Sequence, residues 1–223
     1  MRTSRFLQVV AGCSLLFAAC SSGPNPQDNP AKVEALVAWI ERVHVEAERS
    51  RLAIGDSFER LNTLAAGQFG KEPAATVYAR FVLAIDAADE QARRFRSSVA
   101  PMTAAGEPLF VQWQKDLAGI DNERLRQRSQ MRYEVTRQRY DTLLATAVPA
   151  QDRFDAYVKT LRDHAAFLGH DLNASALADI QDEVKVLAGN ARELDRMMES
   201  SLAAARAYVE NAALPATLAA PSR

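Results

Sequence analysis

From Ala31 almost to the end of the chain, apolar residues recur every three or four positions. The first stripe is Val33, Leu36, Ile40, Val43 and Ala47, and after polar Ser50 it resumes at Ile54, Phe58, Leu61 and Ala65. This spacing marks one face of an α-helix. Gly67 and Gly70 break it, and Pro73 opens the next segment. A second stripe runs Tyr78, Phe81, Ile85, Ala88, Ala92, Phe95, Val99, and Pro101 with the Gly106-Glu107-Pro108 cluster reads as its end. A third begins at Phe110 and passes through Trp113, Leu117, Ile120 and Leu125. It turns polar around Ser129, Arg132 and Thr136, then recovers at Tyr140, Leu143 and Ala147. It crosses Pro149 with little change of phase, through Phe154, Val158, Leu161 and Leu168, which favours a kink over a break. Gly169 reads as a C-cap and Asn173 as the N-cap of a last helix. That helix carries Leu177, Ile180, Val184, Leu187, Ala191, Leu194, Met198, Leu202, Ala205 and Val209, with the seven-residue repeat of a coiled-coil-like seam.

No segment alternates apolar and polar positions long enough to predict a strand. The predicted fold is all-α: an elongated antiparallel bundle of four long helices, or five if Pro149 breaks the third, over residues 31–212. Residues 213–223 read as a disordered tail. Composition agrees, since Ala is the commonest residue and Gly and Pro number nine each.

The first thirty residues follow another logic. Arg2 and Arg5 precede an apolar run from Phe6 to Ala19, too short to span a bilayer. Residues 1–19 therefore read as a signal peptide. Ala18-Ala19-Cys20 resembles a bacterial lipobox, which implies a thioether-linked lipid on Cys20. Phe17 stands where that motif prefers Leu. Val10-Ala11-Gly12-Cys13 fits the box more strictly, but cutting there leaves too short an apolar core. Ser21 resembles the signal for release to the outer membrane. Residues 20–30 then hold three Pro and no large apolar residue, as a flexible tether does. With Cys20 the sole remaining thiol, stability must come from packing and not from disulfides.

The formal charge of −1 gives no global attraction to nucleic acid. Charge is uneven, however. Arg124, Arg126, Arg128, Arg132, Arg137 and Arg139 stand against Glu123 and Glu134. On a helix these six spread around much of the circumference and form no single stripe. The plain reading is a solvated segment bridging to acidic neighbours such as Glu46, Glu48, Asp86 and Glu90. The functional reading is a contact surface for an anionic partner.

The chain resembles a bacterial envelope family catalogued as domain of unknown function 2959. The resemblance rests on Leu109-Phe110 with Trp113, Asn122 with Leu125-Arg126 and Ser129, Arg139-Tyr140-Asp141 with Leu143, Phe167-Leu168, and His170 with Leu172-Asn173-Ala174. It implies coiled-coil-like lipoproteins and brings no activity or catalytic residue.

Other chemistry is poorly supplied. Gly67-Gln68-Phe69-Gly70-Lys71-Glu72 lacks the first Gly and the hydroxyl residue of a phosphate loop, so a hinge is the simpler reading. His44 and Glu48 share a helix face without a third metal ligand. His164 reads as helix surface and His170 as a cap. No Gly-x-Ser-x-Gly elbow occurs. The expectation is therefore a lipid-anchored scaffold or adaptor at the periplasmic face of the outer membrane, with no catalytic activity, cofactor, metal or nucleic-acid partner. Its partners would be the membrane and an envelope protein or cell-wall polymer, and a homo-oligomer is compatible with such surfaces. The alternative is a small-ligand or lipid-binding module opening at Ser129, Arg132 and Thr136.

Overall fold

The computed structural model describes residues 28–212. The expected signal peptide, Cys20 and the expected tail from residue 213 lie outside the described residues. Five helices follow one another: α1 (Asp28–Ala65), α2 (Ala74–Ala118), α3 (Glu123–His170), α4 (Ala174–Asp179) and α5 (Gln181–Ala212). No strand occurs among the described residues. α1 and α3 each pack against both α2 and α5, so the four long helices close into a ring. Short connections make ring neighbours antiparallel. At 48 residues α3 is about 70 Å long.

The predicted stripes become the core. Leu36, Ile40 and Leu61 of α1 meet Phe81, Ile85 and Phe95 of α2, Leu143, Phe154 and Leu161 of α3, and Leu187, Leu194 and Met198 of α5 in one cluster. Burying each such side chain contributes about 1.5–3 kcal/mol, which offsets the entropy of ordering four long helices. Polar positions within the core satisfy themselves locally. Ser50, Ser57 and Ser98 donate to carbonyls three or four residues earlier, and the Tyr157 hydroxyl donates to the Ile54 carbonyl at 3.1 Å.

Helix boundaries depart from the sequence reading at three places. α2 runs through Pro101, Gly106 and Pro108 and ends only at Ala118. Each Pro removes one backbone bond, but the carbonyls this frees, on Ser97 and Ala104, belong to exposed residues that water can reach. The buried Met102, Leu109 and Phe110 hold the segment helical. α3 continues through exposed Pro149 without a break, as the steady phase of its stripe favoured. Gly169 is not a C-cap; it lies inside the last turn of α3, where a Cβ would sit 2.6 Å from the Tyr78 hydroxyl. The last helix divides at Ile180, where the Gln181 amide donates to the Ala65 carbonyl at 2.6 Å and ties the turn to the end of α1. Asn173 caps α4 as expected, its side chain accepting from the Ala176 N–H at 3.0 Å. Gly67 and Gly70 do form the α1–α2 turn, both with positive φ (65° and 58°) that non-Gly residues rarely adopt.

Candidate functional site

The polar stretch of the third stripe lies where α2 and α3 outrun their neighbours. α3 is 48 residues long and α5 only 32, so the α2–α3 hairpin projects past Ala212. Its turn is built locally. The Gly119 N–H donates to the Asp116 carbonyl at 3.1 Å, and Asn122 caps α3 by accepting from the Leu125 N–H at 3.1 Å.

An aromatic cluster holds the two helices of this hairpin together. Phe110 stacks on Trp113 at 6.5 Å and meets Tyr133 edge-on at 6.1 Å, while Tyr140 lies 5.1 Å away. The Trp113 indole N–H donates to the Ser129 hydroxyl at 3.2 Å. Ser129 is therefore occupied inside the hairpin. Arg137 closes the arrangement, donating two parallel bonds to Glu107 at 2.9 and 3.0 Å and a third to Asp141 at 2.9 Å. Its guanidinium also sits 5.1 Å above the Phe110 ring. The hydrogen bond to Glu107, ahead of the Asp141 bond, pushes the Arg137 pKa further above its ordinary value. Burial, reinforced by the charge of Glu107, pushes Tyr140 up to about 12.

The six arginines divide into two sets. At about 100° per residue, Arg124, Arg128, Arg132 and Arg139 fall within an arc of about 80°, and Arg126 and Arg137 lie on the opposite side. Arg126 pairs with Glu123, and Arg137 with Glu107 and Asp141. Among the described residues the other four have no carboxylate within ion-pair distance. The bridges expected to Glu46, Glu48, Asp86 and Glu90 do not form, although Arg137 does bridge to α2 through Glu107. Glu46 is buried against Gln91 and Arg49, Glu90 pairs with Arg93 and Arg94, and none of the proposed acidic neighbours meets an arginine of residues 124–139.

Arg128, Arg132 and Arg139 border a groove of about 820 Å³ between the hairpin and the ends of α1 and α5. α2 contributes Leu109 and Trp113 to its walls, α3 adds Met131, Val135 and Thr136, α1 adds Val33, and α5 adds Tyr208, Asn211 and Ala212. None of its lining side chains is acidic. Met131 and Val135 are exposed at 59% and 45%, as are Val111 and Leu125 nearby on the hairpin. Arg132 and Thr136 thus line an opening, as the alternative sequence reading requires, while Ser129 does not.

The remaining candidates are dispersed. His44 contacts the Leu202 carbonyl at 3.3 Å across α1 and α5, and Glu48 points to solvent. His164 is not on the surface but 8% exposed, with Nδ1 2.8 Å from the Thr160 carbonyl and Nε2 unpartnered. His170 is the exposed last residue of α3. Among the described residues no three His, Cys, Asp or Glu side chains converge as a metal site would need. No helix among them is long and apolar enough to cross a membrane.

The architecture is that of an all-α bundle of long antiparallel helices carrying a projecting hairpin. The chain belongs to the DUF2959 family, described as proteins of unknown function, whose model matches residues 30–212. No curated protein and no solved structure matches it.

Proposed function

We propose that this protein is a lipid-anchored helical scaffold at the periplasmic face of the outer membrane, presenting its hairpin to envelope partners. The observation that carries this reading is the coincidence of two features at one end of the bundle. Cys20 lies eight residues before Asp28, where α1 begins. Val33, one turn into α1, lines the groove bordered by unpaired arginines. Eight residues reach at most about 28 Å. A lipid on Cys20 would therefore keep the arginine-rich end near the membrane and point the α1–α2 turn away from it. No enzymatic step is part of this proposal.

Two measurements test it. Intact-mass analysis of protein from its native host should give a chain starting at Cys20 with a diacylglyceryl group and an acylated amine. An unmodified chain starting at Met1 overturns the anchor. Photocrosslinkers at Arg124, Arg128 and Arg132 should capture discrete envelope products, whereas the same probe at exposed Leu83 on α2 should not. Absence of any product from the hairpin removes the scaffold role.

A further inference from the structure

The groove has two chemistries side by side. Three guanidinium groups, Arg128, Arg132 and Arg139, have no carboxylate partner among the described residues. Beside them run apolar side chains that solvent reaches, chiefly Met131 and Val135, with Trp113 at the wall. Helical spacing explains the juxtaposition. Arg128, Arg132, Val135 and Arg139 are separated by four, three and four residues, so they share one face of α3. An acidic peptide or a polyanionic polymer would answer the charges and leave the apolar wall in water. A wholly apolar ligand would leave three cations unanswered. An amphiphile with an anionic head satisfies both.

We propose that this groove binds a membrane phospholipid with an anionic headgroup, its phosphate against Arg128, Arg132 and Arg139 and an acyl chain along Trp113, Met131 and Val135. The volume suits part of such a ligand, since sites for small ligands span about 300–1,000 Å³. The position suits it too, because the groove opens at the end of the bundle to which Cys20 is tethered. That last argument rests on the anchored reading, while the charge and apolar complementarity do not. Long arginine stems lie along apolar surface while their heads reach a phosphate layer, and an indole favours the same interface. The lipid contact would orient the anchored bundle, turning a loose tether into a fixed attitude on the membrane.

The test uses the full chain as isolated from membranes, reconstituted in phosphatidylcholine vesicles. A Trp39→Phe background leaves Trp113 as the sole indole, since the chain has two Trp. Phosphatidylglycerol with brominated acyl chains is then added and Trp113 quenching recorded. Saturable quenching at low phosphatidylglycerol fraction is expected, with brominated phosphatidylcholine far less effective. Each basic residue near an anionic surface contributes about fivefold. Arg128→Gln, Arg132→Gln and Arg139→Gln together should raise the half-quenching fraction by about tenfold or more without changing the melting temperature. Met131→Glu, at an exposed position, should do likewise. Equal quenching by the two lipids, or an unchanged triple variant, overturns the proposal. Displacement of the lipid by glycerol phosphate as readily as by phosphatidylglycerol would identify a free-anion site and also overturn it. A change in Trp113 emission that follows protein concentration and not lipid would assign the groove to a second copy of the chain, with the same consequence. If Cys20 proves unmodified, the protein leaves phosphatidylcholine vesicles altogether. Flotation with phosphatidylglycerol vesicles alone would then uphold the groove while the anchor fails.

Discussion

Gly106 provides a perturbation whose sign depends on the packing of α2 against α3. It lies inside α2, buried against the ring of Tyr140. A Cβ at this position would sit 2.3 Å from both Cζ and Oη of Tyr140 and 2.7 Å from Cε2. In an open helix interior, Gly→Ala gains about 1 kcal/mol. Here that gain is opposed by a ring with little room to move. Tyr140 is fully buried, 5.1 Å from Phe110 and 6.5 Å from Tyr208 between ring centres, and its hydroxyl donates to the Met102 carbonyl at 3.3 Å. Overpacking costs about 1–3 kcal/mol, and losing the hydroxyl bond about 1 more. Gly106→Ala should therefore destabilise by about 1–3 kcal/mol, which at this chain length lowers the melting temperature by about 2–10 °C. Gly55→Ala and Gly189→Ala serve as controls, because beyond the adjoining backbone of its own helix a Cβ at either site meets nothing within 4 Å. Both should stabilise by about 0.5–1 kcal/mol. Urea unfolding followed by circular dichroism reads all three. In a Tyr140→Leu background the penalty at Gly106 should vanish, giving a coupling energy of about 2 kcal/mol. A stabilised Gly106→Ala, or zero coupling, would refute the close-packing argument.

Three further outcomes follow from the same structure. Arg137→Ala should cost about 1–2 kcal/mol, because it removes a half-exposed bidentate pair with Glu107 and a cation–π contact, and Arg137→Lys should not restore it in thermal melts. Burial holds the phenols of Tyr140, Tyr157 and Tyr208 near 12 against the ordinary 10. Above about pH 10 the unfolded chain therefore loses these protons first, so stability is complete below pH 10 and falls as pH rises towards 12. Tyr157 and Tyr208 each account for about 2–3 kcal/mol of that fall, and Tyr157→Phe or Tyr208→Phe should flatten the urea midpoint against pH correspondingly; an unchanged slope contradicts the assignment. His164→Leu should be neutral or stabilising within about 1 kcal/mol, since it replaces a buried ring whose Nε2 has no partner; a loss beyond about 2 kcal/mol would show that this nitrogen is satisfied in solution.

The fold was largely legible because helix periodicity reports burial directly. Leu36, Ile40, Phe81, Phe95, Leu161 and Leu194 sit on predicted stripes and all lie in the core. The misread ends share one cause. Pro101, Gly106, Pro108 and Gly169 are breakers by local chemistry, and tertiary packing overrides them. Gly106 and Gly169 stand where a tyrosine from the facing helix needs the space of a side chain. No single-sequence pattern shows that Tyr140 faces Gly106 across two helices. The burial of His164 was hidden for a related reason. Charged Asp163 beside it suggested surface, yet it follows Leu161 by three positions and so lies on the edge of the buried face.

The arginine segment shows how far spacing can be carried before partners are needed. Around the helix the six arginines are dispersed, which argues for general solvation. What separates them is the position of acids on α2 and in the first turn of α3. Glu107 meets Arg137 only because α2 continues as a helix beyond the expected break at Gly106. Once that pair and Arg126–Glu123 are taken out, the remainder is a single face. Arg124, Arg128, Arg132 and Arg139 then read as one charged stripe with Val135 in its midst, running from beside the last described turn of α5 towards the tip of the hairpin. A stripe of this kind within a paired bundle would cost stability through mutual repulsion. On the projecting part of the hairpin the charges remain solvated, and an anionic partner can approach without displacing any ion pair.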